Sequence, residues 1–164
     1  WEALKNAKHP RIQVSAPVSL VTMEYIMHSK PEDVRAGVAE AVSYARSLCP
    51  EDFTFYSGND SLTLPLMALG AKGVISVASN IIPEAMSELT RLCLKGDYRV
   101  AGAVHYEYLA LMNALFCDVN PIPVKTAMGL LGRCEPELRL PLVPMGTPRR
   151  EALAACLMSH GMLY

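Results

Sequence analysis

"FTFYSGNDSLTLPLMALGAKGVISVASN", Phe53 to Asn80, decides the fold. "FTFY" has the aromatic and β-branched density of a strand. "SGND", Ser57 to Asp60, is a polar turn directly after it. "SLTLPLMALGAKG" predicts a short helix that Gly70 ends. "GVISVAS", Gly73 to Ser79, is almost wholly apolar, as suits a parallel strand buried on both faces. A strand, a turn, a helix and a second strand make a βα unit feeding its parallel neighbour, a connection that is right-handed.

Downstream the alternation stops and helices take over. "PEAMSELTRLCLKG" begins at Pro83 and has Gly96 as its stop signal. "DYRVAGAVHYEYLALMNALF" is a longer helix, with Tyr108, Leu111, Met112 and Leu115 on one packing stripe. "NPIPVKTAMGLLG" is a tight turn followed by a helix, "RLPLVPMGTP" an extended linker, and "RREALAACLMSHGML" a closing helix.

Upstream, "RIQVSAPV" (Arg11 to Val18) reads as a strand between Pro10 and Pro17. "SKPEDV" opens a helix: Ser29 caps it, Pro31 sits in its first turn, and Glu32 lies at the capping-box position. Val34, Val38, Ala41, Val42 and Ala45 form its apolar stripe, which ends near Cys49 before Pro50. The chain opens on helical material, "WEALKNAK", as expected of a piece of something larger.

Composition narrows the function classes. With 164 residues, 51% apolar and 19% charged, the chain is expected to fold around a real core. Net charge is −1 and no Lys/Arg cluster runs beyond "PRR", so nothing suggests a polyanion-binding surface and no nucleic-acid partner is expected. "PRR" (Pro148 to Arg150) reads as a solvated helix start. Cys49, Cys93, Cys117, Cys134 and Cys156 are scattered, odd in number and free of CxxC spacing. They read as reduced, mostly buried thiols in a cytoplasmic protein. No apolar run reaches membrane-spanning length. His9, His28, His105 and His160 lack ligand spacing, so they are expected on loops or helix surfaces and no metal is expected.

The words "YSGNDSLTLPLMALGAKGVISVASN", "NPIPVKTAMGLLG" and "LRLPLVPM" carry a resemblance. From Phe53 onward the chain resembles the carboxyl-terminal part of the dihydrodipicolinate synthase and N-acetylneuraminate lyase family of Schiff-base aldolases. "WEALKNAKHPRI", "MEYIMHSKPEDV" and "EAVSYARSL" instead resemble a βα unit of the 2-isopropylmalate and citramalate synthases. Gln13 and Thr22 stand where that family has histidines. The two resemblances together imply a chimera with its seam near Cys49 to Phe53.

The aldolase resemblance implies a (β/α)₈ barrel whose functional rim lies at the strands' carboxyl ends. It also implies a lysine on the sixth strand that forms the Schiff base and a proton-relay tyrosine on the fifth. The resembling part begins at the seventh strand, so both positions are missing and no catalytic residue is assigned. Lys125 follows "NPIP" in the helical region, and Lys72 precedes "GVISV" at the wrong end of the barrel. What remains is pocket wall: Gly58, Asn59, Asp60 and Ile75, with the isoleucine carbonyl directed toward the family's lysine. The plainer alternative makes Asn59 and Asp60 caps of the next helix.

The expected architecture is α/β, a partial barrel of about three parallel strands followed by a helical carboxyl-terminal region. Its parts are a condensing-enzyme-like unit at 1–52, aldolase-like units at 53–96 and a helical extension at 97–164. The expected function is that of a lyase fragment or chimera, inactive alone and without cofactor, facing a pyruvate-like small acid. Two alternatives stay open: a lyase completed by another subunit or fragment, and a non-catalytic assembly module. Exposed strand edges make a homo-oligomer the expected state.

Overall fold

The computed structural model describes residues 40, 42–44 and 46–164. The chain divides into Trp1–Ala41 and Val42–Tyr164, and the second unit is described by itself. The expected strand at Arg11 to Val18 and the Ser29 cap lie outside the described residues. Residues 42–44 and 46–48 are helical, and the helix stops before Pro50 as expected.

A 3₁₀ turn at Asp60–Leu62 leads into α1, Thr63–Ala68. A second 3₁₀ turn, Ala78–Asn80, precedes α2, Pro83–Leu94. Then come α3, Tyr98–Ala114, α4, Ile122–Leu130, and α5, Thr147–Ser159. Residues 131–146 connect α4 to α5; of the linker expected at 139–148, Thr147 and Pro148 belong to α5 instead.

The helix boundaries follow from local chemistry. Pro83 occupies the first turn of α2, where its missing N–H costs nothing. Asp97 starts α3 by accepting the amide of Val100 at 3.1 Å. Gly96 (φ +81) stops α2: its amide donates to Cys93, and the next amide, that of Asp97, reaches back to Leu92. This is the Schellman arrangement, which needs a left-handed residue past the helix end. Gly132 (φ +66) does the same for α4, with the Arg133 amide returning to Met128.

α3 is the centre of the helical packing. α1, α2 and α5 all pack against it, and α4 packs against α5. Leu89, Ala101, Leu111, Leu115 and Leu157 are fully buried in the shared core. Of the stripe expected on α3, Leu111, Met112 and Leu115 are buried and Tyr108 is half-buried. His160 fastens the end of α5: its Nδ1 lies 2.8 Å from the Cys156 carbonyl and its Nε2 3.0 Å from the Glu107 carbonyl. Its ring stacks on Tyr108, with centroids 5.7 Å apart.

The strands are where expectation and structure part. Among the described residues the sheet is a single parallel bridge between Ser57 and Val74. Three backbone bonds hold the ribbon: Ser57 to Gly73, Ile75 to Ser57 and Lys72 to Phe55, each 2.8 Å. A parallel ladder gains stability from neighbours on both edges, and a lone pair of segments settles into extended chain with one bridge. One face of the ribbon is covered, since Phe55, Val74 and Val77 pack on the helical core. On the same ribbon Tyr56 is 57% and Ile75 72% exposed.

Candidate functional site

The two segments that leave the ribbon build the site. Ser57 is fully buried and anchors the first. Its hydroxyl donates to the Asn59 carbonyl at 2.7 Å and accepts the Asn59 amide at 3.2 Å. That closes a tight loop with Gly58 at its tip. Gly58 is exposed, and a Cβ there would meet no atom within 4 Å.

Asn59 is committed to capping: its Oδ1 accepts the Ser61 amide at 3.0 Å and the Ser61 hydroxyl at 2.8 Å. The plainer alternative holds for this residue. Asp60 does not cap the helix that follows it. The side chain is fully buried and crosses to the second segment. Its Oδ2 accepts the amides of Val77 at 3.1 Å and Ala78 at 2.9 Å, so it caps the later 3₁₀ turn and not its own helix. Its Oδ1 is buried with no hydrogen-bond partner among the described residues. Of the candidate set, Gly58 and Ile75 remain open, Asn59 is used up locally, and Asp60 joins the two segments.

The second segment is internally tied. The Ser76 hydroxyl accepts the Ser79 amide at 2.8 Å, and the Asn80 side chain donates to the Val77 carbonyl at 2.9 Å. Arg133 closes it from outside, its Nη1 donating to the carbonyls of Asn80 and Ile81 at 3.0 Å each.

The described lysines are placed as follows. Lys125 Nζ donates to the Glu137 carbonyl at 2.6 Å, inside the helical region. Lys72 lies at the start of the second ribbon segment, the end away from the loops. Lys95 ends α2. Tyr106 is 72% exposed on α3.

His105 departs from its expected place on a helix surface. It is buried on α3, and its Nδ1 has no partner among the described residues. The signal was present: Ala101, His105, Tyr108 and Met112 share one helical stripe. Burial pushes the imidazole below its ordinary value. An unfolded histidine protonates near pH ~6.5, whereas the buried one resists to a lower pH. Between those points the unfolded chain binds more protons. Stability is therefore full above about pH 6.5 and falls as pH drops toward the folded value. In urea unfolding between about pH 7.5 and 5.5, His105→Phe is expected to flatten this decline. An unchanged slope would remove His105 as its source.

The five cysteines are free, and burial raises the thiols of Cys93, Cys117 and Cys156. Only Cys93 is fully buried, and Cys117 is exposed, so "mostly buried" overstated them. Among the described residues no group of three His, Cys, Asp or Glu is placed to hold a metal, and no helix is long and apolar enough to cross a membrane.

The dihydrodipicolinate synthetase family matches residues 19–160. The chain belongs to that family. A relative from Geobacter metallireducens, a 4-hydroxy-tetrahydrodipicolinate synthase, is 44% identical over 77% of this chain and 44% of its own length. The crystal structure of dihydrodipicolinate synthase from Aquifex aeolicus superposes with a TM-score of 0.74 at 47% identity, covering 76% of this chain and 42% of that one. The chloride-inhibited Acinetobacter baumannii enzyme, solved with pyruvate, matches with a TM-score of 0.66 at 40% identity, covering 68% and 38%. The chain thus spans less than half the length of the relatives it matches. These matches fit an α/β fold. They also correct the sequence reading at its amino-terminal end. The family begins at residue 19, well before the expected seam, and the condensing-enzyme resemblance of 1–52 gains no support.

Proposed function

We propose that this chain supplies the carboxyl-terminal wall of a pyruvate-dependent Schiff-base lyase site and forms no Schiff base by itself. In this reading Gly58 and Ile75 line the space for a small keto acid. Asn59 and Asp60 hold the wall in shape behind them. The observation that carries the reading is the pairing of an open rim at Gly58 and Ile75 with Lys125 bonded to Glu137 in the helical region and Lys72 at the far end of the ribbon. A Schiff base needs an amine that is both desolvated and within reach of the carbonyl carbon. The exposed side of the ribbon is where the rest of a barrel would pack. A complementary fragment of the family, or another subunit of an oligomer, would supply the amine.

Treatment with pyruvate and borohydride is expected to leave the intact mass of the chain unchanged. A stable pyruvyl adduct would sink the claim that the chain is inert alone. Adding the amino-terminal part of a family member is then expected to yield pyruvate-dependent turnover. Its absence, at concentrations where both pieces are folded, would count against the wall reading.

A further inference from the structure

The segment 76–82 is held at both ends by side chains from outside it. Asp60 takes the amides of Val77 and Ala78 at its beginning. Arg133 takes the carbonyls of Asn80 and Ile81 at its end. Arg133 belongs to the helical region, more than fifty residues further along the chain. It follows Gly132 at the end of α4, where the left-handed turn fixes its backbone through the bond to Met128. α4 itself packs against the 3₁₀ turn.

The placement of this cation is informative. The carbonyls of Asn80 and Ile81 lie just before Ile82, the N-cap of α2. A helix amino terminus carries partial positive charge and favours anions. A guanidinium there opposes the dipole, so stabilising α2 is a poor account of it. Fixing two successive carbonyls with one planar, rigid donor is a better one.

We infer that Arg133 is a positioning residue through which the helical region sets the wall segment 76–82 next to Ile75. The inference rests on the wall reading for its functional consequence, but its structural half stands apart from it. Arg133 touches no reacting atom in this account. Its loss therefore acts on binding of the small acid more than on the chemical step.

The test has two arms. In the first, amide hydrogen exchange is followed on the intact chain. Arg133→Ala is expected to speed exchange at Ile81 and Ile82, whose amides bond to the Ala78 carbonyl, by about tenfold. Amides of α3 and α5 should be unchanged, and Arg133→Lys should restore part of the protection. Equal exchange in Arg133→Ala and the parent chain overturns the inference. So does a uniform rise across all helices, which would mark general destabilisation.

In the second arm, the chain is mixed with the complementary amino-terminal fragment. Arg133→Ala is expected to raise KM for pyruvate about tenfold, with kcat within about twofold. A fall in kcat at constant KM would overturn the positioning role. If the unsubstituted mixture has no turnover, the wall reading fails, and the exchange arm alone judges Arg133.

Discussion

Leu111→Ala is expected to lower the unfolding free energy by about 3 to 4 kcal/mol. Leu111 is fully buried on α3, the helix on which α1, α2 and α5 all pack. Truncation removes the transfer free energy of the side chain and leaves a cavity that three packed helices cannot readily close. A domain of this size is stable by roughly 5 to 15 kcal/mol, so the variant would approach its threshold. Leu140 is the control: it is 87% exposed, and Leu140→Ala should stay within about 0.5 kcal/mol of the parent. Urea unfolding of both variants checks the pair. A loss below about 1 kcal/mol at Leu111 would mean that α3 is not the centre of the core.

Asp60→Ala should cost about 3 kcal/mol. The change leaves the amides of Val77 and Ala78 without their acceptor, and Ala78 is fully buried. An orphaned buried donor costs its full desolvation, and here two donors lose one shared acceptor. Asp60→Asn is the discriminating variant. One oxygen, Oδ2, takes both amides while Oδ1 has no partner among the described residues. The amide oxygen of asparagine can take over the first role, and its NH₂ falls where no acceptor lies among the described residues. Asn should therefore recover most of the loss but keep a deficit of about 1 kcal/mol. Equal unfolding midpoints for Ala and Asn would show that the cross-segment bonds contribute little.

The helices were legible because their signals are local. Pro83 is the first residue of its helix, and Gly96 and Gly70 lie two residues past the ends they set. The closing helix starts slightly earlier than "RREAL", at Thr147 with Pro148 in its first turn. The strands were legible as apolar runs but not as a ladder, because a ladder depends on neighbours that the run itself does not name. Gly58 and Ile75 were named through the resemblance alone; a Cβ at Gly58 would meet no atom within 4 Å, and Ile75 is 72% exposed. Asp60 was misread because capping rules look a few residues ahead, whereas its partners lie 17 and 18 residues on. Arg133 gave no signal at all, since its acceptors are backbone carbonyls in another segment. His105 was misread because residue type outweighed its place on the α3 stripe.

The bond from Asp60 to the amides of Val77 and Ala78 also limits how this family can recombine. The donors are main-chain amides that any residue but proline supplies, whereas the acceptor needs an acidic side chain, so a crossover between Leu62 and Ser76 leaves two amides unpaired only where the incoming first segment lacks an acidic residue at position 60. Shuffled libraries of this family should therefore be depleted of chimeras with a non-acidic residue at position 60, wherever between the two segments the breakpoint falls.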